Sequence, residues 1–275
     1  MKKRSGVVVL AMAFAMSLAG GSASAKEPEQ VFYTISGLET EVFTITVSGG
    51  KITTADIGPT HGGNCASLAV SPLGKFYSMC GPVFGPGPQR LATIDPKTGL
   101  ASPFGVDVAR LSVMAMVFAP NGILYAVGGC NPDRKNECIP ASDPNYNSLY
   151  TVNTETGAFT RVGSTGAPQF FMDLATDGNG NMFGVTSTVN PSMTPAILYR
   201  IDPAKGGAAT KVVDLVGSSS LMGLDFGRDG KLYATDFTQK PGLYLIDMET
   251  GFETAIAALP FDLSSSLKLA KAPEE

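Results

Sequence analysis

This chain is poor in the residues from which catalytic and metal centres are usually built. Its 275 residues include one histidine, four cysteines, no CxxC pair and no tryptophan. A single imidazole excludes a multi-histidine metal centre, and spacing places no Ser-His-Asp or Cys-His arrangement around it. Charge is scarce as well, with 16% Asp, Glu, Lys and Arg, and acidic residues outnumber basic ones by 24 to 20. Three of the basic residues are Lys2, Lys3 and Arg4. Past them the chain carries 17 basic residues against 24 acidic, a formal charge of −7. Such a surface repels phosphate backbones, which argues against nucleic acid as a partner. No Gly-rich phosphate loop leads into a helix, and no stretch of useful length has a helical period.

The start of the chain reads as an export signal. A basic opening is followed by an uncharged run from Val7 to Ala19, then by small residues at Ala23-Ser24-Ala25. The run falls short of the roughly 20 apolar residues that span a membrane, and no cysteine follows it to carry a lipid. Residues 1–25 are therefore expected to be cleaved, giving a secreted or periplasmic protein with no membrane span in its mature part. Residues 26–275 form one domain of about 250 residues, enough for a real core. With 32 Gly and 19 Pro the composition is turn-rich, and all-β is the expected class.

In an exported protein four cysteines are read as two disulfides. Cys65 and Cys80 flank a strand-turn-strand segment and fall opposite one another when counted outward from Pro72 and Leu73. Cys130 and Cys138 bracket the polar loop CNPDRKNEC. No metal site is expected from these residues.

What is present is a repeat. Apolar-aromatic steps recur as VFYTI from 31, KFYSM from 75, ILYAV from 123, NMFGV from 181 and KLYAT from 231. A second motif follows each: VFTITVSGG, LATIDPKTG, LYTVNTETG, LYRIDPAKG and LYLIDMETG. The closing glycines, Gly50, Gly99, Gly157, Gly206 and Gly251, are 49, 58, 49 and 45 residues apart. In such a turn the Asp side chain can take backbone N–H groups, and glycine supplies a positive φ. Ahead of the aromatic strands lie further turns, SPLGK, APNGI, TDGNGN and GRDGK, each preceded by a short apolar strand. Four antiparallel strands in about 50 residues make one propeller blade, and five such units predict a single five-bladed β-propeller.

The first unit lacks its inner strand. The tail supplies a candidate: Leu269 lies four residues before Pro273, as Leu68 precedes Pro72 and Met116 precedes Pro120. Residues 265–270 are expected to fill the gap, with Leu269 beside the segment around Tyr33, which closes the ring.

These repeats, LYxID-turn-Gly and xPxGxLY, resemble those of secreted bacterial propellers in the broad NHL and YVTN-like group, over residues 31–273. The resemblance implies the architecture alone, since such folds host hydrolases, lyases, lectins and scaffolds. The metal-binding carboxylates and amides of gluconolactonase-type enzymes have no counterpart here, and quinone-cofactor propellers are rich in the tryptophan this chain lacks. No cofactor is expected.

In a propeller, the loops joining second to third strands, and outer strands to the next inner strand, share one face. The variable loops, after Cys80 and from Gly128 to Asn147, lie there. So do His61, the one candidate for acid-base work, and Asn64, which can equally cap a turn. One residue before the shared apolar anchor the units carry Ser67, Ala115, Asp173, Gly223 and Lys268. Asp173 and Lys268 are thus expected at one depth, separated by one blade, either as a satisfied ion pair or polarising a channel that holds a ligand; Asp225 is two residues deeper. Asp177, Asn179 and Asn181 begin like a calcium loop but continue with Met182 and Thr188 where glycine and a bidentate acid belong. Met114, Met172 and Met222 occupy one repeat position and are expected as core, although thioethers can hold Cu(I).

The expected function is an exported, non-catalytic binding or scaffold module using the variable-loop face. Its partner would be a small ligand, a glycan or an envelope protein, and the chain would act as a monomer. The alternative is a hydrolase or lyase at the channel mouth, drawing on His61, Asp173 and Lys268. A metal-binding role rests on the methionines alone.

Overall fold

A computed structural model describes residues 29–36, 40–61, 63–81, 88–108, 111–129, 146–186, 195–217, 220–238 and 241–270. The expected export signal and the Cys130–Cys138 bridge lie outside these residues.

Twenty strands form five four-stranded antiparallel sheets. The first blade contains β1 (Gln30–Ile35), β2 (Glu41–Ser48) and β3 (Lys51–Pro59). The second runs through β4 (Ala69–Val70), β5 (Phe76–Cys80), β6 (Gln89–Ile94) and β7 (Ala101–Val108). The third comprises β8 (Ser112–Phe118), β9 (Leu124–Gly129), β10 (Ser148–Val152) and β11 (Phe159–Ser164). The fourth has β12 (Phe171–Thr176), β13 (Met182–Thr186), β14 (Ile197–Asp202) and β15 (Ala208–Asp214). The fifth has β16 (Leu221–Phe226), β17 (Leu232–Asp236), β18 (Gly242–Ile246) and β19 (Glu253–Ala258). The chain then returns to the first blade, where β20 (Lys268–Leu269) pairs antiparallel with β1. The architecture is the expected five-bladed propeller.

The core is distributed rather than central. Five apolar clusters are present, and each joins one blade to the next around the ring, including the fifth to the first. The repeated aromatic of the second strand explains its own recurrence. Tyr33 meets Phe76, Tyr77 meets Phe118, Phe183 meets Phe226, and Tyr233 meets Phe32, with ring centroids 4.6, 5.5, 5.5 and 5.0 Å apart. Each pair crosses a blade boundary and adds about 0.5–1.5 kcal/mol beyond the area it buries.

The turns follow their chemistry. Asp95 Oδ1 accepts Lys97 N–H at 2.9 Å, and Asp247 Oδ1 accepts the N–H groups of Glu249 and Thr250 at 2.9 and 3.1 Å. These bonds hold both carboxyls below the usual range. Gly99 closes its turn at φ 77°, and a Cβ there would press on the Gly58 carbonyl of the preceding blade.

Ring closure occurs as expected, with Lys268 opposite Tyr33 and Leu269 opposite Phe32, but the register differs by two residues from the proline-based alignment. The residue opposite the aromatic is Ala69, Val117, Ala175 and Asp225 in the other blades. Lys268 is therefore the counterpart of Asp225, not of Asp173, and the two partners do not share one depth. The anchor is Leu267, fully buried like Leu68, Met116, Leu174 and Leu224, and Ser266 stands at the Asp173 position. No hairpin turn ties β20 to β1, so burial of Leu267 sets the register. A slip of two residues keeps the same faces inward.

Candidate functional site

The inner strands line the channel, and three of them carry a bulge. The register shifts between Val113 and Ala115, between Phe171 and Asp173, and between Leu221 and Gly223, so the extra residue is Met114, Met172 or Met222. A bulge re-aims its side chain. These methionines share one apolar cluster with Ala66 of the second blade, so the repeat position recognised in sequence is apolar fill around the axis.

Asp173 and Lys268 meet within this framework. Lys268 Nζ donates to Asp173 Oδ2 at 2.6 Å, and to the carbonyls of Leu174, Leu224 and Leu267 at 2.9, 3.0 and 2.9 Å. Asp173 in turn accepts the N–H groups of Leu174 at 2.8 Å, Leu224 at 2.9 Å and Leu267 at 3.3 Å. Leu174 and Leu224 belong to the inner strands of the fourth and fifth blades, and Leu267 directly precedes the inner strand of the first. Burial pushes the Asp173 carboxyl up to about 7, against the pull of the Lys268 ammonium and the backbone N–H groups. With relative exposures of 0% and 2%, this pair fastens the terminal strand to its neighbours. Asp225, one step along, is half-buried and accepts Leu269 N–H at 2.6 Å and Phe226 N–H at 3.0 Å.

The chain thus brings Asp173 and Lys268 together and leaves His61 and Asn64 elsewhere. Both of the latter are exposed in the connection from the first blade to the second. Next to them the Cys65–Cys80 disulfide is formed as expected from the hairpin count.

The variable-loop face has a backbone signature that the sequence did not announce. Among the described residues, four that are not glycine adopt positive φ: Thr40 (54°), His61 (49°), Asn147 (44°) and Leu263 (52°). All four lie in connections on this face, whereas every positive-φ residue in the short turns opposite is glycine. Such conformations cost about 1–3 kcal/mol each and persist where the surroundings over-determine them. The tethers are visible. Thr40 O accepts Thr60 N–H at 2.8 Å, and Leu263 N–H donates to Thr238 O at 3.0 Å. Asn147 Nδ2 donates to Ala167 O at 2.9 Å and Gln169 O at 2.6 Å. Asparagine at a loop end is a weak signal for this geometry; Thr40 and Leu263 carry none.

At the opposite mouth, among the ends of the inner strands, is a cavity of about 400 Å³. One side is apolar, from Val70, Val117, Phe118 and Pro120; the other presents Asp177 and Asp225. The Asp177 carboxyl is raised by burial, but the Asn181 side chain and the N–H groups of Asn181 and Asn179 outweigh this and hold it below its usual range. The DGNGN segment is thereby a blade turn, as its position suggested. Among the described residues no group of three or more His, Cys, Asp or Glu could hold a metal ion, and no helix is long and apolar enough to cross a membrane.

No known family's sequence profile matches the chain, and no curated protein matches it in sequence. Solved structures do. A candidate 6-phosphogluconolactonase from Bacteroides fragilis superposes with TM-score 0.51 at 13% identity, covering 89% of this chain and 99% of its own. A candidate gluconolactonase gives 0.51 at 12% identity, covering 88% and 82%. A chain of a nidogen/laminin complex gives 0.52 at 9%, covering 89% and 99%. Lactonase-type propellers and a propeller from a protein–protein complex are thus about equally similar, and at these identities the likeness shows the β-propeller fold alone.

Proposed function

We propose that this protein is an exported, non-catalytic binding module whose variable-loop face engages a glycan or an envelope protein. The observation that carries the reading is the confinement of non-glycine, left-handed backbone to that face. Strain held in place by specific tethers is a feature of ligand clamps as well as of active sites. The enzymatic alternative loses its charged centre, because Asp173 and Lys268 are enclosed by each other and by backbone groups of three blades.

Glycan-array binding and pull-down with purified envelope proteins test this. Specific retention should be lost when the 128–147 loop is shortened and kept in His61→Ala. A turnover found in a lactone and glycoside screen, and abolished by His61→Ala, would replace binding with catalysis. Cell fractionation with N-terminal sequencing tests export, with a mature start near Lys26 as the expected result. The monomer is tested by sedimentation of the mature protein.

A further inference from the structure

The apolar cluster between the fourth and fifth blades contains two residues from outside that seam, Ala66 of the second blade and Met114 of the third. Both stand two residues before the buried anchor of their inner strand. Met172 and Met222 hold that position in the fourth and fifth blades, and Ser265 holds it in the first. At this depth, therefore, side chains of four successive blades run together beside the axis. Three of them are methionines from consecutive blades, with relative exposures of 3, 3 and 5%. Each is the extra residue of a bulge, which re-aims a side chain out of the ordinary alternation of a strand. Leucine would fill the same space; what methionine adds is a polarisable thioether sulfur.

The surroundings decide which ligand three thioethers suit. No group of three or more His, Cys, Asp or Glu among the described residues could hold a metal ion. His61 is exposed, and Cys65 is bonded to Cys80. The Ser265 hydroxyl donates to Ile35 O at 2.9 Å. Asp173, next to Met172, is paired with Lys268 at 2.6 Å, so it offers no spare charge to offset a dication taken out of water. Zn(II) and Ca(II) draw on nitrogen, thiolate or oxygen, whereas thioether donors select Cu(I). Phe170 and Phe237, half-buried in connections on the variable-loop face, pack against the same cluster, which makes that face the side of entry.

We infer that Met114, Met172 and Met222 form a thioether site for one soft monovalent cation, Cu(I) or its redox-inert analogue Ag(I), at the variable-loop end of the channel. The sulfurs donate lone pairs to the ion, and neither metal nor sulfur changes oxidation state.

The test adds Ag(I) to the mature chain in chloride-free buffer, and Cu(I) without oxygen in competition with bicinchoninate, after alkylation of any free thiol. One ion should bind per chain, and excess Zn(II) or Ca(II) should not displace it. Met114→Leu, Met172→Leu and Met222→Leu conserve core volume. Each should weaken binding at least roughly tenfold, since even residues that only orient a ligand cost that much, and the triple variant should bind no ion. Met116→Leu, at the anchor position of the same strand as Met114, should bind like the native chain. Methionine methyl spectra of the native protein give a readout that does not depend on the variants: Ag(I) should shift the three signals of Met114, Met172 and Met222. A native chain that binds neither ion, a folded triple variant with native affinity, or shifts confined to other methionines would overturn the inference. Partner binding is a separate result, read from shortening of the 128–147 loop in the absence of metal.

Discussion

Lys268→Met removes an ammonium from a site that offers it four acceptors and almost no water. What remains is Asp173, fully buried, with its counter-ion gone, and the carbonyls of Leu174, Leu224 and Leu267 without this donor. Breaking a buried pair from one side costs about 3–5 kcal/mol, because a lone charge stays behind. Adding Asp173→Asn to that variant should recover much of the loss. The single amide oxygen can still accept the N–H groups of Leu224 and Leu267, which share Oδ2 in the native protein, the amide nitrogen can donate to a carbonyl, and the group carries no charge. The double variant should therefore be more stable than Lys268→Met alone, with a coupling of about 2 kcal/mol, inside the range for residues that share one network. pH adds a second readout. Burial raises the Asp173 carboxyl to about 7, so its contribution is fully present below the unfolded value of about 4 and is lost as pH rises through about 7. Native stability should fall across that window, by at most about 1.4 kcal/mol per pH unit from this group, and Asp173→Asn should flatten the slope. In Lys268→Met the opposing ammonium is absent, so the loss should be larger at pH 8 than at pH 5. Urea unfolding followed by far-ultraviolet circular dichroism measures all of this, as the chain has no tryptophan to report. A double variant that loses as much as the two single variants summed, with no pH slope in the native protein, would refute the reasoning.

Three further outcomes are expected. Truncation after Leu263 exposes the edge of β1 and removes Leu267 from the cluster joining the fifth blade to the first; lower melting temperature and concentration-dependent aggregation by light scattering should follow. Replacing Cys65 and Cys80 with serine opens a link across a sequence separation of 15, which in the loop-entropy account costs about 3 kcal/mol; a dithiothreitol-dependent shift in the native protein, absent from the variant, checks it. Gly99→Ala should destabilise more than Gly74→Ala. Both glycines have positive φ, but the added Cβ meets the Gly58 carbonyl in the first case and open space in the second, so chemical denaturation should rank them in that order.

Much of the architecture was legible because every blade needs the same few things from its residues. A turn needs Asp and Gly at fixed offsets, and a blade boundary needs an aromatic on its second strand. Hence the motifs ending at Gly99, Gly157, Gly206 and Gly251 and the steps at Tyr33, Tyr77, Tyr125, Phe183 and Tyr233 could be counted by eye. The pairing of Cys65 with Cys80 was legible for the same reason, since a hairpin turns separation along the chain into proximity across it.

Ring closure marks where this legibility ends. Sequence assigned the tail to the first blade, but the register of β20 was two residues off, because proline spacing carries no information once no turn joins the strands. That slip decides the chemistry of the axis: it places Lys268 two residues along from the position of Asp173, reaching back to it across the fifth blade. Left-handed backbone at Thr40 and Leu263 was likewise silent in sequence, being imposed by tethers from residues far along the chain or in other loops. Local chemistry repeats with the chain and can be read from it. The channel, its buried ion pair and the cavity beneath it arise only where five inner strands from distant parts of the sequence converge, and only the tertiary structure brings them together.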